Sequence, residues 1–416
     1  MSHPVKRAFK YRFYPNDVQA AELTRTFGCV RTVYNLALQA RTTAWFTERR
    51  RINYVQTSAL LTEWKKTEEY AYLADVSSVP LQQALRHLQG AIVSFFEKRS
   101  AYPRFKSRKK SRNSAEYTRS AFAYRDGRLT LAKMREPLDI VWSRPLPEGQ
   151  TPSTVTVTQD GAGRWFVSML CEDASVKALP STGSAVGIDA GITALVTLST
   201  GEKITNPKFE KKDRATLARA QREVSRKKKG SRNRDKARVR VARIHARIAD
   251  RRRDFLHKLS TRLVRENQTI VIEDLAVRSM LKNRTLSRAI SDASWAALRS
   301  MLEYKAEWHG RELIAVDRWY PSSRTCSACG HLVAKLPLGI REWTCAACGA
   351  THDRDENAAK NVLAAGLAVS ACGAGVRPQR RSSGRAAGAE AGKLRRSAGE
   401  RRRVGVSPSS EREEVN

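Results

Sequence analysis

The sequence has no apolar stretch long enough to cross a lipid bilayer. Its longest run of low polarity, residues 362–376, contains 15 residues, several of them glycine, alanine or serine. A membrane-spanning helix needs about 20 predominantly apolar residues. The first residues, MSHPVKRAFKYRFYPND, also carry no apolar segment of the kind that a secretory signal needs. We therefore expect a cytoplasmic protein with no membrane partner.

Cysteines and acidic residues are both scarce. Seven cysteines in 416 residues are too few for a disulfide scaffold. The chain has 41 Asp and Glu against 77 Lys and Arg, a formal net charge of +36. Self-repulsion of that charge opposes compaction unless a polyanion neutralises it. A nucleic-acid partner is thus the first expectation, and the apolar share of 41% is high enough for folded cores.

The first half of the chain changes its hydrophobic period twice. Residues 5–14 alternate as a strand does, and residues 16–99 follow a helical period. A basic, proline-containing linker is predicted at 102–114. Alternating segments recur through residues 115–172, and this pattern predicts a small β-barrel or sandwich.

The second half predicts another sheet, interrupted by a strongly basic segment. Residues 184–189 and 192–200 predict a strand pair, and residues 269–272 and 313–316 predict two further strands. The intervening segment carries a net charge of +17 and an apolar helical stripe, which together predict one long amphipathic helix with a basic outer face over residues 211–265.

Four cysteines form the most specific local motif. Cys326 and Cys329 make one Cys-x-x-Cys pair, Cys345 and Cys348 make another, and a glycine follows each pair. Two such turns supply four soft ligands for tetrahedral zinc, and an all-cysteine set implies a closed structural site. Redox activity is the main alternative, although it leaves the second pair unexplained. A site that includes His331 or His352 is a further alternative.

Acidic residues follow or begin several predicted elements. Asp189 ends a buried strand, Glu273 ends the strand at 269–272, and Asp353 and Asp355 begin a helix. Each acid alone could serve a turn or a helix cap. Together they can converge, and clustered carboxylates repel one another unless a divalent metal lies between them. Two magnesium ions about 3.5–4 Å apart would support phosphodiester hydrolysis, so a basic chain with this cluster indicates a nuclease.

The chain resembles TnpB (OrfB), the family of RNA-guided endonucleases encoded by bacterial insertion sequences and related to compact type V CRISPR effectors. The resemblance extends in order from Val5 to about Leu367. It rests on these segments: KRAFKYRFYP, Gly28, Arg31, Tyr34-Asn35, GIDAGI (187–192), RRRDFLHKLST (251–261), IEDL (272–275), WYPSSRTCSACG (319–330), CAACG (345–349) and HDRDENAAKN (352–361).

The resemblance implies a multidomain α+β fold. A wedge-type β-barrel is split between residues 1–14 and 101–180, with a helical recognition domain, 15–100, inserted in it. A RuvC/RNase H-like α/β nuclease domain covers 181–371, and a zinc ribbon is inserted in it at 320–351. A disordered basic tail is expected at 372–416.

The family's three metal-binding acids match Asp189, Glu273 and Asp355. Two aspartates lie in the segment Asp353-Arg354-Asp355. Asp355 is preferred to Asp353 because the family spacing is Asp-x-Asn-Ala-Ala, and Asp353 is expected to face the zinc knuckle. The implied cofactors are catalytic magnesium, with two ions, and structural zinc.

The implied activity is RNA-guided, magnesium-dependent cleavage of double-stranded DNA next to a short target-adjacent motif, by a protein that a transposable element encodes. The expected partners are a guide RNA from the element's end and target DNA, with a monomer bound to the RNA.

Two alternatives stay open. One is a guide-RNA-dependent DNA-binding repressor without cleavage, which the intact acids disfavour. The other is a DNA transposase: the His-x-His motif of the tyrosine type is absent from the sequence, but a three-acid type remains compatible.

Overall fold

The computed structural model describes residues 5–109, 111–337 and 339–371. The tail predicted to be disordered, 372–416, lies outside the described residues. No helix in the described part of the chain combines the length and apolar composition that membrane crossing requires.

The chain begins with a strand and a set of helices. The strand predicted at 5–14 is β1, Val5–Tyr14. The helices that follow are α1 (Asp17–Glu48), α2 (Tyr54–Trp64) and α3 (Ser78–Phe96), with a short 3₁₀ segment at Glu68–Ala74 between the last two. The Asn16 side chain accepts from the amide of Gln19, and the Gln19 side chain accepts from the amide of Asn16. This reciprocal cap satisfies amides at the start of α1 that have no partner within the helix.

A five-stranded antiparallel sheet joins β1 to the next segment of the chain. The strands of that segment, four of which join β1 in the sheet, are β2 (Asn113–Thr118), β3 (Phe122–Arg125), β4 (Arg128–Leu131), β5 (Asp139–Val141), β6 (Thr154–Gln159) and β7 (Trp165–Asp173). The sheet order is β2-β6-β7-β1-β5, and β3 and β4 form a separate hairpin. Phe9, Tyr11 and Phe13 alternate into a core that also buries Leu129 and Leu131 of the hairpin. The predicted linker ends at 112, because β2 already begins at Asn113.

A second five-stranded sheet is mixed. Its strands are β8 (Ala185–Ala190), β9 (Ala194–Leu198), β10 (Lys203–Thr205), β11 (Thr269–Glu273) and β12 (Glu312–Val316). The order is β10-β9-β8-β11-β12. Strands β8, β11 and β12 are parallel, whereas β9 and β10 run antiparallel to their neighbours. The strands predicted in this region are therefore present.

The prediction of one long helix across 211–265 is wrong. Two helices form instead, α4 (Phe209–Arg226) and α5 (Arg232–Glu266). Gly230 adopts a φ of +85°, which favours glycine, and the Ser231 hydroxyl then caps α5 by accepting from the amide of Arg234. The helices are antiparallel, since Phe209 contacts Phe255 while Glu223 pairs with Arg240.

The remaining helices and strands all follow β11 in the chain. They are α6 (Val277–Met280), α7 (Ser287–Ala293), α8 (Trp295–His309), β13 (Glu342–Thr344), β14 (Thr351–Asp353) and α9 (Arg354–Ala371). Helices α5 and α8 share a core with the sheet through residues such as Leu263 and Leu302. Helix α9 packs on another part of the sheet, where Val362 is buried with Val271 and Val316.

Candidate functional site

Asp189 and Glu273 lie at the same edge of the mixed sheet. Strands β8 and β11 are parallel, and Ile188 pairs with Ile272 at the end of their shared ladder. Asp189 and Glu273 are the next residues of the two strands, so the register sets them side by side. Parallel strands end at one edge of a sheet, and this edge is where α/β proteins commonly bind ligands.

Helix α9 brings Asp355 to the same edge. Gly187 lies two residues before Asp189 and is in contact with the backbone of α9. A Cβ atom on Gly187 would lie 2.7 Å from the amide nitrogen of Leu363 and nearer still to the carbonyl oxygen of Ala359. Ala359 follows Asp355 by about one helical turn. The close approach therefore directs the first turn of α9 towards Asp189.

The three carboxylates interact electrostatically. Desolvation, together with the negative charges of Glu273 and Asp355, raises the pKa of Asp189 to about 8 against the opposing effect of the Arg354 guanidinium. Desolvation also raises the pKa of Glu273, and the Ser322 hydroxyl opposes this by donating to its carboxylate. A partly buried set of hard oxygen donors that repel one another is suited to a divalent cation such as Mg²⁺.

Asp353, two residues before Asp355, forms interactions that differ from those of the three predicted metal-binding acids. Asp353 pairs with Lys203 at 2.6 Å, and its Oδ1 accepts from the amides of Asp355 and Glu356 at the start of α9. Its pKa is lowered by these hydrogen bonds despite desolvation. Asp353 is thus engaged as a helix cap and ion-pair partner. Asp355 forms a longer ion pair with the exposed Arg341, at 3.4 Å, and acts on Asp189 more strongly than Asp353 does.

Asp274, next to Glu273, belongs to an arginine cluster. Its carboxylate accepts from Arg299 at 2.5 Å and from Arg318. The hydrogen bond from Arg299 is the main cause that lowers the pKa of Asp274. Asp274 is therefore neutralised locally, while Glu273 faces Asp189.

The four cysteines predicted to bind zinc come together. Their Sγ atoms all lie within 4.8 Å of one another, and both the Cys326–Cys348 and Cys329–Cys345 pairs are 3.7 Å apart. A tetrahedral ZnS₄ centre with Zn–S bonds of about 2.3 Å has edges of about 3.8 Å. The cluster therefore has the spacing of a zinc site.

The two cysteine turns have the same backbone geometry. The amide of Gly330 donates to the Cys326 carbonyl, and the amide of Gly349 donates to the Cys345 carbonyl, both at 2.9 Å. These glycines have φ values of +76° and +72°, which explains the glycine after each pair. Strands β13 and β14 pair with each other beside the second turn.

The two histidines considered as alternative ligands lie close to the first turn. His352 places Nε2 at 3.0 Å from Cys326 Sγ, where its ring can donate to the sulfur. His331 contributes its backbone carbonyl, which accepts from the amide of Cys326. Both therefore support the first cysteine turn.

Three polar residues next to these sites are not among the predicted site residues, although they lie in the segments WYPSSRTCSACG and HDRDENAAKN that carry the family resemblance. Ser322 donates to Glu273 Oε1 at 2.8 Å, and Asn357 and Asn361 of α9 donate to carbonyls of the segment that leads into the cysteine module. Single serines and asparagines are too common to indicate a site, and their partners are 30 or more residues away in sequence.

A basic cleft lies between the antiparallel sheet and α5. Its volume is about 530 Å³. It is lined by five arginines, Arg12, Arg164, Arg243, Arg247 and Arg251. Aspartates pair with Arg164, Arg247 and Arg251. Among the described residues, Arg12 and Arg243 have no carboxylate partner, and the buried Arg12 Nε lacks an acceptor. Such a cleft favours an anionic ligand.

Family models match three segments of the chain. A model described as "Probable transposase", of the OrfB group, matches residues 166–284. One described as "Cas12f1-like, TNB domain" matches 295–362. One described as "Helix-turn-helix domain" matches 1–50, a segment that here contains β1 and the single helix α1.

Curated relatives are similar over nearly their whole length. The chain is 73% identical to the "Putative RNA-guided DNA endonuclease" of Streptomyces pristinaespiralis over 92% of this chain and 95% of the relative. It is 36% identical to "Putative RNA-guided DNA endonuclease InsQ" of Escherichia coli, over 88% and 94%.

A solved structure shares the fold. The structure titled "Cryo-EM structure of the Cas12f1-sgRNA-target DNA complex" aligns with a TM-score of 0.51, covering 83% of this chain and 82% of that chain. The sequences are 14% identical, so this likeness concerns the mixed α and β architecture alone.

Proposed function

Because the chain belongs to the OrfB (TnpB) family of insertion-sequence proteins, we propose that it is an RNA-guided DNA endonuclease. The single observation that supports the catalytic part of this proposal is that Asp189 lies beside Glu273 in the strand register and that Glu273 and Asp355 both act electrostatically on it. Two parallel strands and one helix start supply these acids to a single edge of the mixed sheet. An insertion-sequence origin is consistent with the family model that matches residues 166–284.

The three acids are suited to hold two magnesium ions. Magnesium bound there would provide Lewis-acid stabilisation for hydrolysis of a phosphodiester. The chain's own part is to hold three carboxylates in fixed positions. Asp189 and Glu273 are fixed by strand pairing, and Asp355 by its place in the capped first turn of α9. Desolvation of Asp189 and the negative charges of Glu273 and Asp355, which together raise the pKa of Asp189, disfavour the ionised cluster until a cation binds.

We assign the mixed sheet and its helices, 181–371, to a RuvC/RNase H-like nuclease domain. The strand order β10-β9-β8-β11-β12, with one antiparallel hairpin at one side, supports this assignment. The antiparallel sheet suits a wedge β-barrel built from 1–14 and 101–180, and helices α1 to α3 suit a recognition domain at 15–100. The cysteine cluster at 320–351 would hold structural zinc.

The basic surfaces suit two nucleic-acid partners, a guide RNA and double-stranded target DNA. The cleft beside α5 presents arginines that bind phosphate regardless of sequence. Sequence choice would then come from pairing between guide and target, after recognition of a short target-adjacent motif. The guide would derive from the end of the insertion sequence.

Cleavage assays on single-acid variants test the catalytic assignment. Asp189→Ala, Glu273→Ala and Asp355→Ala should each abolish magnesium-dependent cleavage while RNA and target binding persist, because phosphate contacts elsewhere carry affinity. Asp353→Ala is the matched control in the same motif and should keep measurable activity. Cleavage that survives in Asp355→Ala but not in Asp353→Ala would transfer the role to Asp353. Cleavage by all three acid variants would place the active site elsewhere, whereas guide-dependent DNA binding without cleavage by the wild type would favour the repressor alternative.

A further inference from the structure

A chain of buried polar groups connects Glu273 to the helix that carries Asp355. Ser322 is 7% exposed, and its hydroxyl donates to Glu273 Oε1 at 2.8 Å. The Ser322 carbonyl, on the opposite side of the same residue, accepts from Asn361 Nδ2 at 2.8 Å and from Asn357 Nδ2 at 3.4 Å. One serine thus joins the strand that bears Glu273 to α9.

The two asparagines form a clamp on the segment that leads to the first cysteine turn. Asn357 and Asn361 are four residues apart, so they share one face of α9, and they are 1% and 4% exposed. Both donate to the Thr325 carbonyl, at 2.8 and 2.6 Å. Buried amides of this kind are costly to leave without partners, so the clamp fixes the position of the segment.

The clamp also reaches into the cysteine module. Asn357 Oδ1 accepts from the amide of Ser327 at 2.9 Å. Ser327 lies inside the first turn, immediately after Cys326. The path from the cysteine cluster to Glu273 is therefore continuous, through Asn357 and Ser322. A glutamate side chain has three rotatable bonds with a broad last torsion, and a fixed hydroxyl donor selects one arrangement.

We propose that Ser322 is a positioning residue that orients Glu273 for metal binding, and that Asn357 and Asn361 hold Ser322 in place from the folded cysteine module. This inference rests on the proposed role of Glu273 as a magnesium ligand. Partners of this kind orient the side chains that contact a metal, and their loss weakens metal binding or activity about 10- to 100-fold.

The Ser322→Ala variant distinguishes two roles of Ser322: orientation of Glu273 by its hydroxyl, and stabilisation of the segment before the first cysteine turn by its backbone carbonyl. The substitution removes the hydroxyl that contacts Glu273 and leaves the backbone carbonyl that the asparagines hold. Ser323→Ala is the matched control, because it removes a serine hydroxyl from the adjacent, half-buried position, and the Ser323 side chain makes no hydrogen bond within the described residues. Ser322→Thr keeps a hydroxyl at the same position.

The test measures Mn²⁺ binding to the RNA-bound protein without target DNA, by electron paramagnetic resonance, together with zinc content and the magnesium dependence of cleavage. Ser322→Ala should bind Mn²⁺ about 10- to 100-fold more weakly and need correspondingly more magnesium, with zinc content unchanged. Ser322→Thr should restore binding, and Ser323→Ala should match the wild type. Asn361→Leu, which removes one of the two asparagines of the clamp and leaves the Ser322 hydroxyl, should weaken Mn²⁺ binding in the same direction.

Two results would overturn the inference: Mn²⁺ binding by Ser322→Ala equal to that of Ser323→Ala, or Mn²⁺ binding by Ser322→Thr as weak as that of Ser322→Ala. Asp189→Ala provides the separate control for the metal centre itself. If Asp189→Ala and the wild type bind Mn²⁺ equally, the proposed centre fails whatever Ser322 does. If Asp189→Ala loses binding while Ser322→Ala keeps it, the role of Ser322 alone fails.

Discussion

Gly187 of β8 and Leu363 of α9 are in backbone contact: a Cβ atom on Gly187 would lie 2.7 Å from the Leu363 amide nitrogen. This approach sets the depth at which α9 lies on the sheet, and thereby the distance from Asp355 to Asp189. About one turn further along the same helix, a Cβ atom on Gly366 would meet the Val271 side chain in a similarly tight contact. Two glycines thus let one helix lie directly on the strands.

Gly187→Ala should displace α9 from β8. Overpacking of a well-packed core costs typically about 1–3 kcal/mol, and the added methyl group here would meet backbone atoms that cannot rotate away. We expect a lower melting temperature and a larger loss of cleavage than of RNA binding. Gly90→Ala on the exposed side of α3, where a Cβ meets nothing within 4 Å, is the control and should melt at or above the wild-type temperature. Equal cleavage by Gly187→Ala and the wild type would contradict the role given to this contact.

The raised pKa of Asp189 predicts how the metal-free protein responds to pH. A carboxyl group with a folded-state pKa of about 8 and an ordinary unfolded pKa near 3.9 keeps its proton in the folded state over that interval. The unfolded state then binds fewer protons, so the contribution of Asp189 to stability falls as pH rises from about 4 to about 8.

Thermal unfolding across this pH range, in chelator, measures the effect. Asp189→Asn should show a flatter dependence than the wild type, because it cannot ionise. Added magnesium should recover wild-type stability at pH 8 and have little effect on the variant. Parallel pH profiles for the two proteins would show that Asp189 is not the group responsible.

Loss of one cysteine from the cluster should unfold the module around it. Cys345→Ser should release zinc, since a structural zinc site contributes its binding free energy to folding. We expect less than one zinc per chain by elemental analysis, a lower melting temperature and loss of cleavage. Ser327→Ala lies within the first turn but keeps the amide that Asn357 accepts from, and it should retain zinc. A Cys345→Ser protein with unchanged melting would remove the structural role of the metal.

The basic cleft should make RNA binding sensitive to salt. Arg243→Gln should weaken binding and lower the slope of log affinity against log salt by about 0.7–0.9, the value for one phosphate contact. Lys66→Gln removes an equal charge from a lysine that already pairs with Glu63, and should change the slope less. Identical slopes for Arg243→Gln and the wild type would exclude Arg243 from the phosphate contacts.

The elements that position the acids could be predicted because their patterns are local. Buried apolar segments ending in Asp189 and Glu273 indicate strands, and the cysteine spacing indicates a paired-turn metal site. The break between α4 and α5 also has a local signal, a glycine followed by the N-cap Ser231. The net positive charge and the apolar helical stripe of the whole segment nevertheless favour one helix over two in the sequence-based prediction.

Other features depend on contacts between distant parts of the chain. Ser322 meets Glu273 across 49 residues, and Asn361 meets Thr325 across 36, so local spacing does not reveal which residues pair, even within segments that carry the family resemblance. The three-residue strands β13 and β14 are too short for a period-two pattern to be recognised. The need for glycine at 187 likewise arises only when α9 packs on β8.

We propose that a bound RNA selects the cleavage site, and mapping cuts with exchanged guides tests this proposal. The protein is purified free of nucleic acid, supplied with RNA guides of different sequence, and incubated with magnesium and a plasmid library. We predict that cutting requires RNA and that the cut positions follow the guide, with none in the Asp189→Ala control. Cutting without RNA, or cut positions that stay fixed when the guide is changed, would contradict the account and favour the transposase alternative.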